Sequence, residues 1–138
     1  MQKIVIMRWG EARHLAYPIR LTVFVNEQRV PEELELDDDD PGAWHALFFQ
    51  DGQAIATGRL LSSGKIGRLA VLKNYRGLGM GTALIKSLME FGQQQGIGKF
   101  YLHAQTTAIG FYEGLGFKTN GPVFNEAGIE HIKMIRSN

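Results

Sequence analysis

The stretch Leu69-Ala-Val-Leu-Lys-Asn-Tyr-Arg-Gly-Leu-Gly-Met-Gly-Thr82 runs from a strand through a glycine-rich turn into a helix. Leu69, Ala70 and Val71 close an apolar run, and Arg76-x-x-Gly79-x-Gly81 forms the turn. Met80, Leu84, Leu88 and Phe91 then recur at helical spacing to about Gln95, where Gly96 ends the helix. Glycines let a backbone approach a ligand closely and aim its N–H groups at it. The first helical turn adds unpaired donors and the positive end of the macrodipole. Arg76 adds a fixed charge, so Arg76, Gly77, Leu78, Gly79, Met80, Gly81 and Thr82 form a candidate pyrophosphate site.

Rival phosphate loops can be tested letter by letter. A P-loop needs Gly-Lys-Ser/Thr, but Gly81 is followed directly by Thr82. The dinucleotide fingerprint needs a third glycine one place later and an acidic residue about 20 positions on. Position 82 is threonine, and the chain reads Lys-Phe-Tyr-Leu-His over 99–103. Both rivals fail, leaving a glycine turn without ligand as the alternative.

Outward from this segment, Lys3 to Arg8 predicts a first strand, and Pro18 suits the first turn of a helix through Ile19, Val23 and Phe24. Gln28 to Gly42 is a polar loop with room for a short helix. Trp44 to Gln50 and Gln53 to Leu61 flank Asp51-Gly52, a strong hairpin signal. Ser62-Ser63-Gly64 turns into a strand from Lys65 to Val71. Downstream come a strand at Phe100 to Ala104, a short helix from Ala108 to Leu115 ended by Gly116, and strands near Phe117 and from His131 to Arg136. The order predicts one α/β (α+β) domain over 1–138, with a mixed sheet and helices packed on it.

Composition narrows the function. The 138 residues include no cysteine, which excludes disulfides, thiolate zinc sites and a cysteine nucleophile. There is no His-Glu-x-x-His, and Asp37 to Asp40 lacks the glycine and distal glutamate of a calcium loop, so no metal is expected. A net charge of +1 gives no global argument for nucleic acid. No apolar run approaches a membrane span, and the N-terminus carries no signal peptide, which points to the cytoplasm.

A second motif completes the pattern: Phe111-Tyr112-Glu113-Gly-Leu-Gly116-Phe117. With Arg76-Gly-Leu-Gly-Met-Gly81, it resembles the paired signatures of the GNAT N-acetyltransferases. Val23 to Gln28, Val30-Pro31, His103-Ala-Gln105, Phe124 to Ile129 and His131 are similar to its small bacterial ElaA/YjcF-like branch. The resemblance implies a GNAT fold with about 6–7 strands, about four helices, and fourth and fifth strands splayed around acetyl-CoA. It implies transfer of acetyl to a small-molecule or peptide amine by direct attack in a ternary complex, and leaves a homodimer open. The rival function class is a module that binds acetyl-CoA without turnover.

Carried onto this chain, the resemblance implies that Leu69, Ala70 and Val71 hold pantetheine and that N–H groups from Gly77 to Thr82 cradle pyrophosphate. Gln105 either bonds the pantetheine amides or simply opens the next helix. Tyr112 is the implied general acid, since a phenol near pKa 10 stays protonated at neutral pH. The base stays open among Glu27, His103, His45, His131 and an acidic-loop carboxylate acting through water, with Glu27 and His103 foremost.

The charge map adds an expectation of its own. Eight of the 14 acidic residues lie between Glu27 and Asp40, and none lies between Gly52 and Met89. The hairpin at Ser63-Gly64 sets Arg59 opposite or beside Arg68, and opposed like charges destabilise a sheet. Their counter-anion is either the acidic loop folding over the strands or a carboxylate or phosphate on the acceptor.

Overall fold

The computed structural model describes residues 1–137. Among them lie eight strands: β1 (Gln2–Arg8), β2 (Trp44–Gln50), β3 (Gln53–Leu60), β4 (Ile66–Val71), β5 (Lys99–Gln105), β6 (Lys118–Thr119), β7 (Phe124–Glu126) and β8 (Ile129–Ser137). The α-helices are α1 (Trp9–Arg20), α2 (Glu32–Glu35), α3 (Met80–Gln94) and α4 (Ile109–Glu113).

The strands form two sheets. One is the antiparallel meander β1-β2-β3-β4; the other is β5-β8-β6, with β7 paired to β8. The β2–β3 connection is the two-residue Asp51-Gly52 turn, both residues at positive φ, with Gln50 paired to Gln53. An isolated parallel bridge from Lys65, just before β4, to Tyr101 ties the start of β4 to β5. There Gly64 lies so close that a Cβ would stand 2.2 Å from the Lys99 carbonyl oxygen. Beyond the bridge the strands part, opening a gap between Leu69–Val71 and His103–Gln105.

Helices cover both faces of the first sheet. α3 buries Met80, Leu84, Ile85 and Leu88 against Ala46, Ile55 and Leu60. α1 buries Ala12, Ala16 and Ile19 against Leu47 and Ala70. Each face takes alternate residues of β2, as the period of a strand requires.

Several expectations need correction. The helix around Pro18 begins at Trp9, and Pro18 lies near its C-terminal end rather than its start. Proline cannot donate the interior hydrogen bond, and beyond it the chain widens into a π-helical turn over Leu21–Glu27. Gln28 N–H bonds Val23 O at 3.1 Å, the five-residue spacing of that geometry. Strand β6 has only two residues, and the unanticipated β7 hairpins onto β8 through Ala127 and Gly128, both at positive φ. Arg59 pairs with Gly67 and has Arg68 beside it rather than opposite, because the three-residue turn Ser62-Ser63-Gly64 sets Leu60 opposite Ile66. A bulge between Thr57 and Arg59 then shifts the register so that Thr57 meets Ala70. Arg68 takes the left-handed conformation there, φ 48°.

Candidate active site

The glycine turn behaves as its residues dictate. Gly77 and Gly79 have φ 77° and 86°, values at which an L side chain is strained. That geometry swings the chain from β4 into α3. The first helical bond runs from Ala83 N–H to Gly79 O at 3.0 Å, so N–H groups from Met80 to Thr82 have no intrahelical acceptor. They open into a cleft of about 470 Å³ lined by Val23, Gln28, Leu69, Val71, Tyr75, Arg76, Gly77, Gly79, Met80, Gly81, Thr82 and Phe111. A Cβ on Gly81 would stand 3.5 Å from Phe111 Cζ and 3.7 Å from Leu69 Cδ2, filling the space between them. A bare backbone, a helix N-terminus and one guanidinium fit a pyrophosphate.

Arg76 is already engaged. Its Nε donates to Val71 O at 2.8 Å, and its Nη2 reaches Glu27 Oε2 at 2.8 Å and Oε1 at 3.0 Å. The π-helical turn therefore ties Glu27 to the glycine turn beside the first cleft. Glu27 does not line the neighbouring cleft described next.

That second cleft, about 510 Å³, lies between the parted strands and the 24–39 segment. Leu69 and Gln28 line both clefts, so the two meet there. Around the second stand Phe24, Val30 and Leu34, then Lys65 and Arg68, with Tyr112, His103, Gln105, Glu126 and His131 on the β5–β8 side. Gln105 Nε2 donates to Gln28 Oε1 at 3.0 Å across the gap, and no side-chain cap bond marks it as a helix opener. Tyr112 packs edge-on between Phe111 and Phe117. Burial pushes its pKa up to about 12, so the phenol keeps its proton at neutral pH.

His103 Nδ1 lies 3.0 Å from Glu126 Oε1, with the ring edge-on to Phe124 at 5.0 Å. His131 Nδ1 donates to Ile129 O at 2.7 Å, and its Nε2 stands 3.9 Å from Glu126 Oε2. His45 is elsewhere: fully buried, it packs its ring 4.8 Å from Trp9 and donates from Nε2 to Asp40 O. Burial lowers its pKa, and it has no path to either cleft, so it leaves the set of candidate bases.

The acidic loop folds over the strands and supplies the arginines' counter-anions. Arg20 forks onto both Asp40 oxygens at 2.9 Å and onto Glu35 Oε1. Arg59 Nη1 donates to Asp37 at 2.7 Å and to Asp40 at 3.1 Å. Arg68 Nη2 donates to Asp37 Oδ2 at 3.0 Å, and its Nε to Glu35 O at 3.1 Å. Three guanidiniums thus face three carboxylates: Arg20, Glu35 and Asp40 are 1% exposed and Arg59 3%, while Arg68 and Asp37 are partly exposed at the edge. Burial pushes Asp40 and Asp37 up, but it is outweighed, at Asp40 by hydrogen bonds and charge from Arg20 and Arg59 and at Asp37 by those of Arg59 with the charge of Arg68, so both lie below the ordinary 3.8. Arg68 is depressed by burial and then by Arg59. The block forms one wall of the second cleft. Arg20 and Gln28 carried no sequence signal for these roles.

Comparison with known proteins places the family and agrees with the fold. The family model described as "Acetyltransferase (GNAT) domain" matches residues 13–137. A Bacillus subtilis (strain 168) protein named an acetyltransferase is 37% identical over 129 residues, covering 89% of this chain and 88% of the relative. The uncharacterized N-acetyltransferase YjcF of the same organism is 33% identical over 138 residues, 97% of this chain and 99% of its own. The crystal structure of Escherichia coli ElaA superimposes with a TM-score of 0.88 at 27% identity, covering 99% of this chain and 100% of that one. Among the described residues no helix is long and apolar enough to cross a membrane.

Proposed function

The chain belongs to the GNAT acetyltransferases, and on that premise we propose that it transfers acetyl from acetyl-CoA to a primary amine, with both substrates bound together. The observation that carries this reading is the meeting of two clefts at Leu69 and Gln28, one lined by bare backbone donors and the other by Tyr112 and His103. Bound acetyl-CoA would supply the activated acetyl thioester. The chain's own groups do the rest. Arg76 and the N–H groups from Gly77 to Thr82 bind pyrophosphate, and the backbone of Leu69 to Val71 holds the pantetheine arm, with the Leu69 and Val71 side chains lining its path and Ala70 turned into the core. Gln105, paired with Gln28, offers amide groups to that arm.

Tyr112 holds the proton that the departing sulfur needs, and its raised pKa keeps that proton in place until then. His103 is the better base of the two foremost candidates. Its ring lines the acceptor cleft, whereas the Glu27 carboxylate is bound to Arg76. The acceptor is a small-molecule or peptide amine.

Tyr112→Phe tests this reading, because it deletes the proton donor and keeps the ring. CoA release should fall by roughly 10²–10⁴-fold, with acetyl-CoA affinity nearly unchanged. An equally active Phe variant would make Tyr112 a packing residue. Wild-type chain that binds acetyl-CoA but releases no CoA with any amine would instead be a binding module.

A further inference from the structure

Strand β7, which contributes no residue to the main core, brings a carboxylate to the acceptor cleft. Glu126 closes the hairpin, its oxygens facing His103 Nδ1 at 3.0 Å and His131 Nε2 at 3.9 Å. Elementary hydrogen-bond chemistry assigns the protons. A carboxylate only accepts, so the proton of this contact sits on His103 Nδ1. A neutral imidazole carries a proton on one nitrogen alone, which leaves the Nε2 lone pair bare. Phe124 braces His103 edge-on at 5.0 Å and lies flat over His131 at 6.0 Å. The ring is thus held in tautomer by Glu126 and in orientation by Phe124.

We propose that Glu126 is a positioning residue for acetyl transfer, holding His103 as the tautomer whose Nε2 takes a proton from the acceptor ammonium. The N–H bond of the ammonium breaks, its electron pair stays on nitrogen as the attacking lone pair, and a new N–H forms on Nε2. The imidazolium produced faces the Glu126 carboxylate, which stabilises it. Other charged groups share the surroundings. His131 is on β8, and Lys133 on the same strand is the register partner of His103. Tyr112 comes from α4, Arg68 from β4 and Lys65 from just before it, Arg59 from β3, and Glu35, Asp37 and Asp39 from the acidic segment. Arg59, Arg68, Glu35 and Asp37 are engaged in the arginine–carboxylate block. Glu126 is the carboxylate in hydrogen-bond contact with the His103 ring. This inference rests on the acetyltransferase reading and on His103 as its base.

Two measurements on the full chain test it. Long-range ¹H–¹⁵N spectra of the imidazole nitrogens need neither cofactor nor acceptor. They should report His103 as the Nδ1–H tautomer in the wild type and in Glu126→Gln, which keeps an acceptor oxygen, and as a mixture in Glu126→Ala. Glu126 is exposed at the hairpin end, and the amide spectrum verifies that the fold is intact. The second measurement is CoA release from acetyl-CoA with spermidine, glucosamine and glycinamide as amines. In Glu126→Ala, kcat should fall roughly 10–100-fold, part of the 10²–10⁴ a general base supplies, with the KM for acetyl-CoA steady. A His103 tautomer unaffected by Glu126→Ala, or a kcat unaffected by it, overturns the proposal. If the wild type releases no CoA with any amine, the acetyltransferase reading fails, while the spectra still decide on Glu126.

Discussion

The two clefts are built from different materials. The proposed cofactor cleft is built mainly from one segment, Leu69 to Thr82, with glycines at 77, 79 and 81, a helix N-terminus and one arginine, and Val23, Gln28 and Phe111 alongside. The proposed acceptor cleft is mainly side chains drawn from the whole chain: Gln28, Arg68, His103, Tyr112, Glu126 and His131. A backbone site is a local object, whereas a side-chain site exists only after the sheets and helices have docked. One half should therefore answer to changes in conformation, the other to changes in charge and packing.

The largest effect expected is in the wall of the acceptor cleft. Arg20→Met strips Glu35 and Asp40 of their main partner in a sealed setting, and such a loss costs about 3–5 kcal/mol. Thermal melting and urea titration would register it, with the cofactor cleft spared. Arg68→Ala should cost about 1 kcal/mol or less, because Arg68 is partly exposed and screened. Its acceptor KM should hold. A raised KM for anionic acceptors alone, with unchanged melting, would make Arg68 a substrate clamp instead.

The same wall makes the protein acid-sensitive. The Asp37 and Asp40 pKa values are lowered on folding, so their contribution is complete above the ordinary 3.8 and is lost as pH falls through the folded values. His45 is also lowered, so below 6.5 the unfolded chain takes up a proton that the native one refuses. Stability should start to fall below pH 6.5 and fall further below 3.8. A melting temperature flat from pH 7 to pH 3 would contradict both.

The strand order, the Asp51-Gly52 hairpin and the glycine turn were legible in the sequence because each depends on neighbours a few residues apart. Trp9 to Ala16 was not read as helix, because Pro18 drew the start to itself; its cost falls near the C-terminal end, where the π-helical turn absorbs it. The acidic loop was legible as a charge imbalance, yet which carboxylate meets which arginine depends on the β3–β4 bulge and on α2. The pairing of His103 with Glu126 was hidden for a similar reason: a two-residue turn at Ala127-Gly128 folds β7 back onto β8.

Smaller effects belong to the cofactor cleft. Gly79→Ala forces an L side chain to φ 86°, a strain of about 1–2 kcal/mol. It should weaken acetyl-CoA without touching the arginine–carboxylate block. Glu27→Gln removes the carboxylate bound to Arg76 and should tighten acetyl-CoA by a few-fold, a gain that shrinks as salt rises. If that substitution abolished turnover instead, Glu27 rather than His103 would carry the proton.

Calorimetric titration of acetyl-CoA into the wild type and into Gly81→Val tests the division most directly. The Cβ itself is tolerated at 3.5 Å from Phe111, so the variant should melt normally while its γ-methyls fill the approach to the helix N-terminus. The expected result is saturable binding in the wild type and none in the variant. Equal affinity in both, or no binding in the wild type, would contradict the assignment of the glycine turn to the cofactor.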